Sequence, residues 1–140
     1  MVDHLFVDSG FLVARYNRQD RNFRAVRTFL DPRTNPDISG YRFVLSDYVF
    51  DEAITTLLYR GGRHERAVEA GNAIRNARAL QMVPVERPVF EAAWSLFVDR
   101  PDKLWSFTDC TSFVLMDNLA IRTALTFDKN FREAGFATLP

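Results

Sequence analysis

LFVDSG, residues 5–10, and TALTFDKN, residues 123–130, carry the same pattern near opposite ends of the chain: a short apolar run, an aspartate at its end, and small or polar residues beyond. Leu5-Phe6-Val7 reads as a strand ending at Asp8, and Thr123 to Phe127 as a strand ending at Asp128. In open α/β sheets the carboxyl ends of strands are where sites form, so the two aspartates are expected to share one crevice. Glu52 and Asp109 add two more carboxylates from distant segments. Acids drawn together from such separate places usually serve a metal.

Working outward from the first strand, Phe11 to Tyr16 reads as a short helix. Phe23, Val26, Phe29 and Leu30 follow at helical spacing until Pro32. Arg33 to Gly40, which follows Pro32 and contains Pro36, is a loop. Phe43-Val44-Leu45 is a strand, and Ser46 caps a helix that reaches Tyr59 and stops at Gly61-Gly62. A long helix is expected from Arg63 to Leu80, with Ala67, Ala70, Gly71 and Ile74 on its apolar stripe. Met82 to Val85 reads as a strand whose proline suits an edge position. Pro88 opens a helix to Val98, and Thr108 can cap another that carries Phe113, Met116 and Leu119-Ala120. A turn through Gly135 and a last strand at Phe136 to Leu139 complete the chain. Strands alternating with helices imply parallel pairing, hence a three-layer α/β/α sandwich around a central, mainly parallel sheet.

With 140 residues, 47% of them apolar, and no linker-like tract, residues 1–140 are expected to form a single domain with an ample core. Eighteen basic residues balance eighteen acidic ones, so the field of the whole molecule does not advertise a nucleic-acid partner and local fields must be argued instead. Sixteen of the eighteen are Arg, whose planar fork suits phosphate. No apolar stretch suits a membrane or an export signal, and the single cysteine, Cys110, has no disulfide partner within the chain. A cytoplasmic location with no membrane partner is the expectation.

The four acids sit in the phrases LFVDSG, YVFDEAITTLLYR, SFTDCTSF and ALTFDKNF, in that order along nearly the whole chain. Together these resemble the PIN-domain nucleases, and the last two phrases look like the VapC-type toxins of toxin-antitoxin pairs. The resemblance implies a PIN-like fold and an endoribonuclease in which Asp8, Glu52, Asp109 and Asp128 hold Mg2+ or Mn2+. It also implies a homodimer and a cognate antitoxin that blocks the acidic cleft. The residue chemistry agrees independently, because hard divalent ions want oxygen ligands and no Cys or His joins the set. One ion or two would neutralise the charge and activate a water for attack on an RNA phosphodiester.

Three hydroxyls, Ser9, Thr108 and Thr126, lie within two residues of an acid and can orient a carboxylate, although Thr108 competes as a helix cap. On the third helix Val49, Phe50, Ala53, Ile54 and Leu57 define the buried arc, and Asp51 and Glu52 flank it on opposite sides. Periodicity does not choose between these two; the resemblance favours Glu52. Two basic groups offer phosphate contacts. Arg15, Arg18, Arg21, Arg24 and Arg27 recur every third residue, and Arg60, Arg63 and Arg66 cluster at the Gly61-Gly62 turn. The second group is favoured as the RNA-binding set. The same residues would serve an RNA-processing PIN nuclease without an antitoxin, or an RNA-binding domain that has lost catalysis. The chain has no Gly-rich phosphate loop ending in Lys-Ser/Thr, which excludes a P-loop nucleotide enzyme.

Overall fold

The computed structural model describes residues 3–140. Its five strands are β1 (Asp3–Val7), β2 (Tyr41–Ser46), β3 (Leu80–Val83), β4 (Thr123–Leu125) and β5 (Ala137–Leu139). All pair in parallel, in the order β3-β2-β1-β4-β5. Parallel neighbours need crossovers, and helices supply them. They are α1 (Ser9–Tyr16) and α2 (Phe23–Leu30), then α3 (Asp47–Gly61) and α4 (His64–Asn76), then α5 (Arg87–Asp99) and α6 (Phe107–Asn118), and finally the short α7 (Asn130–Glu133). The first two crossovers step one way along the sheet and the last two step back. With right-handed connections α1 to α4 therefore cover one face and α5 to α7 the other. This is the expected sandwich, parallel throughout.

Central strands covered on both faces need apolar side chains in succession, not in alternation. Leu5, Phe6 and Val7 of β1 are 3%, 0% and 2% exposed, which is why that run is unbroken. Leu45, Leu125, Val49, Met116 and Phe131 close the core around them. The strand expected at Met82 to Val85 is observed two residues earlier, as Leu80–Val83 at a sheet edge, and Pro84, which has no N–H to donate, follows its last residue. The winding direction reverses between β1 and β4, and the carboxyl ends of these two strands flank that switch point.

Caps set several boundaries. Ser46 caps α3 by accepting from Val49 N at 3.0 Å, and Gly62 ends it with a φ of 65°, a conformation that favours glycine. Several expectations need correction. The long helix ends at Asn76, because Ala77 turns extended and Leu80 pairs with Phe43 as the start of β3. The cap of α6 is Ser106, two residues before Thr108, and Ser106 and Asp109 exchange hydrogen bonds as a capping box. The segment 33–40 contains a 3-10 turn, Pro36–Gly40, and α7 fills what reads as a turn in the sequence.

A further correction concerns the end of α6. Leu119-Ala120 follows the apolar stripe but lies outside the helix. Ile121 N donates to Met116 O at 2.9 Å and Ala120 N to Asp117 O at 3.2 Å, the double bond of a Schellman turn. That turn holds Ala120 at a φ of 57°, where a Cβ costs roughly 1–2 kcal/mol. Ala120→Gly is therefore expected to raise stability by about 1 kcal/mol. A urea melt checks this, and a lower midpoint would refute it.

Candidate active site

Asp8 follows β1 directly and serves as the N-cap of α1, accepting from Ser9 N at 2.8 Å. Its backbone N–H donates to Leu125 O at 3.0 Å, and Thr126 Oγ1 donates to its second carboxylate oxygen at 2.7 Å. These bonds clip the ends of β1 and β4 together. Thr126 Oγ1 in turn accepts from Asp128 N at 3.0 Å, so one hydroxyl ties Asp8 to the backbone of Asp128. Ser9 donates its hydroxyl to Glu52 of α3. Asp109 sits in the first turn of α6, its carboxylate accepting from Ser106 N at 3.1 Å.

Asn130, which no sequence signal singles out, completes the network. Its amide donates to Asp109 at 3.1 Å and to Asp128 at 3.3 Å, and its backbone N–H donates to Asp128 at 3.0 Å. Asp-x-Asn with the side chain turned back is a local Asx arrangement, but the bond to Asp109 depends on where α6 packs. Outer-shell partners of this kind are commonly worth about 10–100-fold in metal affinity or activity. Asn130→Ala is thus expected to reduce turnover by roughly that factor. Single-turnover cleavage rates measure it, and an unchanged rate would make Asn130 a packing residue only.

The four acids line one open cleft of about 1120 Å³ together with Ser9, and Ser106 lines it too. Asp8 and Asp109 are buried, 7% and 8% exposed, while Asp128 is exposed. Burial, then the charges of Asp109 and Glu52, push the Asp8 carboxyl from 3.8 up to about 7 against the opposing bonds of Thr126 and Ser9. Asp109 is raised as well, by burial first and then by Asp128 and Glu52, against Ser106 and Asn130. No arginine or lysine pairs with any of the four among the described residues. Nor do three acids, imidazoles or thiols stand close enough together to hold a metal ion by themselves among the described residues. The array is open, each acid held by hydroxyls and amides.

The structure also separates alternatives that periodicity leaves open. Glu52 faces the cleft, whereas Asp51 is exposed and meets Thr55 Oγ1 of its own helix at 3.4 Å. Thr108 donates to none of the acids; its carbonyl accepts from Thr111, because Ser106 occupies the capping position. Arg60 lines the cleft, but Arg63 and Arg66 lie beyond the Gly62 turn and outside it, Arg63 within 3.9 Å of Glu65. Of the period-three arginines only Arg21 reaches the cleft, while Arg15 lies over the Tyr16 ring. Cys110 is buried, its thiol pushed up to about 11 by burial and by Asp109, which makes it a packing residue.

A protein-family model described as the PIN domain matches residues 5–137. This chain belongs to the PIN-domain family. The domain is 33% identical over 133 residues to the 23S rRNA-specific endonuclease VapC20 of Mycobacterium tuberculosis, in strains H37Rv and CDC 1551, across 94% of this chain and 95% of the relative. The crystal structure of Mycobacterium tuberculosis VapC20, a sarcin-ricin loop cleaving toxin, matches this PIN domain with a TM-score of 0.83 and 31% identity, covering 95% and 96% of the two chains. VapBC2 of Rickettsia felis, solved with a DNA fragment from its promoter, matches with a TM-score of 0.68 over 97% of each chain. At 8% identity that likeness concerns the fold alone.

Proposed function

We propose that this PIN-domain protein is an endoribonuclease dependent on Mg2+ or Mn2+, and the toxin half of a toxin-antitoxin pair acting in the cytoplasm. The observation that carries the reading is the gathering of Asp8, Glu52, Asp109 and Asp128 at one strand-end cleft with no cationic side chain within 4.0 Å of them among the described residues. The donor set fits a hard divalent ion. Mg2+ keeps several waters and is commonly held by one or two carboxylates instead of a full protein cage, which suits an open array. Burial first, and then the neighbouring carboxylates, raise Asp8 and Asp109, and a cation would offset that crowded charge.

When bound, such an ion supplies Lewis acidity for attack by water at phosphorus. The chain's own residues do the positioning. Asp8 and Asp109 are the buried members that would hold the ion, and Glu52 and Asp128 complete the donor set. Thr126 and Ser9 restrain Asp8 and Glu52, while Asn130 and Ser106 restrain Asp109. Helix N-termini of α1 and α6 point their amides at the acids and favour the charged forms.

The 23S rRNA substrate in the name of VapC20 makes ribosomal RNA the first substrate to test here. Homodimerisation and antitoxin capture both need exposed apolar surface. Phe11, Leu12, Leu57 and Trp105 are core residues, but Tyr59 and Trp94 are 80% and 52% exposed. Trp94 stacks on Phe97 of the same helix at 5.7 Å, and Val98 beside them is exposed, so α5 carries the apolar face offered to a second copy. No helix of the described residues is long and apolar enough to cross a membrane.

The test is to sequence the 5′ ends of cellular RNA after brief expression of the protein beside an Asp8→Asn control. New ends that recur at a defined site only with the unmodified protein support the nuclease. Identical end profiles would refute it. Neighbouring genes separate the toxin from a processing nuclease: a short reading frame for a small DNA-binding protein directly upstream marks the toxin.

A further inference from the structure

We propose that four cations on the rim of the acidic cleft hold the RNA phosphates on either side of the bond to be cut, Arg21 and Arg60 on one bank and Lys129 and Arg132 on the other. The inference rests on the ribonuclease reading above and adds the residues that seat the strand. All four line the same cleft as the carboxylates, and all four are exposed. They arrive from opposite sides of the sheet. Arg21 lies in the connection between α1 and α2 and Arg60 in the last turn of α3, on one face, while Lys129 and Arg132 lie just before and within α7, on the other.

Their pairing state is the second observation. Ion pairs elsewhere join Arg33 to Asp31, Arg87 to Glu91, Arg100 to Asp102 and Arg122 to Asp117. None of the four rim cations has a carboxylate within 4.0 Å among the described residues, although five acids line the same cleft. The fifth, Asp20, accepts from Asn22 N at 2.8 Å instead. Negative floor and positive rim are thus kept apart. A floor of carboxylates alone would repel a polyanion, and in a chain with no net charge the attraction has to come from this rim. Arg forks suit phosphate oxygens, and Lys129 adds a point charge.

The experiment measures binding of a short single-stranded RNA to an Asp8→Asn parent, so that affinity is read without cutting, as log K against log salt. Each phosphate contact contributes a slope of about 0.7 for single strands, so Arg21→Gln with Arg60→Gln should lower the slope by about 1.4, and so should Lys129→Gln with Arg132→Gln. Arg63→Gln with Arg66→Gln, off the cleft, should leave it unchanged. A second measurement leaves the protein intact: RNA carrying single uncharged methylphosphonate linkages should bind the parent more weakly at positions flanking the cut, and this loss should vanish in the matching bank variant. Full affinity and unchanged slope in both bank variants would overturn the rim while the parent's RNA binding stood. An equal fall in the Arg63/Arg66 variant would do the same. A parent that binds no RNA at low salt would overturn the ribonuclease reading and the rim with it.

Discussion

Asp8→Asn is expected to lower RNA cleavage on the order of a hundredfold or more while making the metal-free protein more stable at pH 8. The two effects have one cause. Asp8 is buried among like charges, and the folded chain raises its carboxyl from 3.8 to about 7. A carboxyl raised on folding contributes stability that is fully present below the unfolded value and is lost as pH rises through the folded one. Between pH 3.8 and about 7 the native state therefore loses ground to the unfolded state. Each unit of displacement corresponds to about 1.4 kcal/mol, so the full effect is on the order of a few kcal/mol. Asparagine keeps an acceptor for Ser9 N and carries no charge. The variant should melt higher than the parent at pH 8 in the absence of divalent ions, and the gap should shrink towards pH 4. Parallel melts at both pH values, with cleavage assays on the same preparations, check it. An active variant, or one that melts lower at pH 8, would mean that Asp8 is a structural cap first. Glu52→Gln should likewise lose activity and Asp51→Asn should keep it, since only Glu52 faces the cleft.

Removing divalent ions is expected to stop cleavage completely, and Mg2+ or Mn2+ should restore it. The acids are held as an open set with like charges facing one another, an arrangement that favours cation binding. A second readout does not depend on activity. A ligand that binds only the folded state stabilises it by about 2.7 kcal/mol at a hundred times its Kd. Mg2+ should therefore raise the melting temperature of the parent and much less that of Asp109→Asn. Attack by water predicts products with 5′-phosphate and 3′-hydroxyl ends. Cleavage that persists in excess chelator, or 2′,3′-cyclic phosphate ends, would instead point to attack by the ribose hydroxyl.

Much of this arrangement is written in short segments. A buried parallel strand needs consecutive apolar residues, so Leu5-Phe6-Val7 announces itself, and Asp8 follows because the carboxyl end of a strand is where a polar chain can leave the core. Ser46 and Gly62 mark the ends of α3 because capping is settled within a few residues. Pro84, with no N–H to donate, follows the last residue of the edge strand β3 for a similarly local reason. These features, and the ordered acids that resemble the PIN family, come from the chain's own text.

What local rules misjudge is instructive. Ala77 keeps the helical period of α4, yet the gain from pairing Leu80 with Phe43 across the sheet ends the helix at Asn76. Thr108 is as good a cap as Ser106 by residue type, and only the reciprocal bond to Asp109 selects Ser106.

The sequence by itself determined the parallel α/β class, the strand-end aspartates and the donor chemistry, because each follows from hydrophobic period, capping preference or the hardness of oxygen ligands. Tertiary structure turns Glu52 and not Asp51 to the cleft, a choice that periodicity leaves open and only the family resemblance anticipates, and it alone decided that Asn130 joins Asp109 to Asp128, and that Arg60 shares the cleft with Arg21, Lys129 and Arg132 while Arg63 and Arg66 do not. Those choices depend on how each helix is rotated against the sheet and where two crossovers of opposite direction meet. Rotation and meeting point are set by packing between distant segments, such as Thr126 and Asp8, 118 residues apart, and no local period records them.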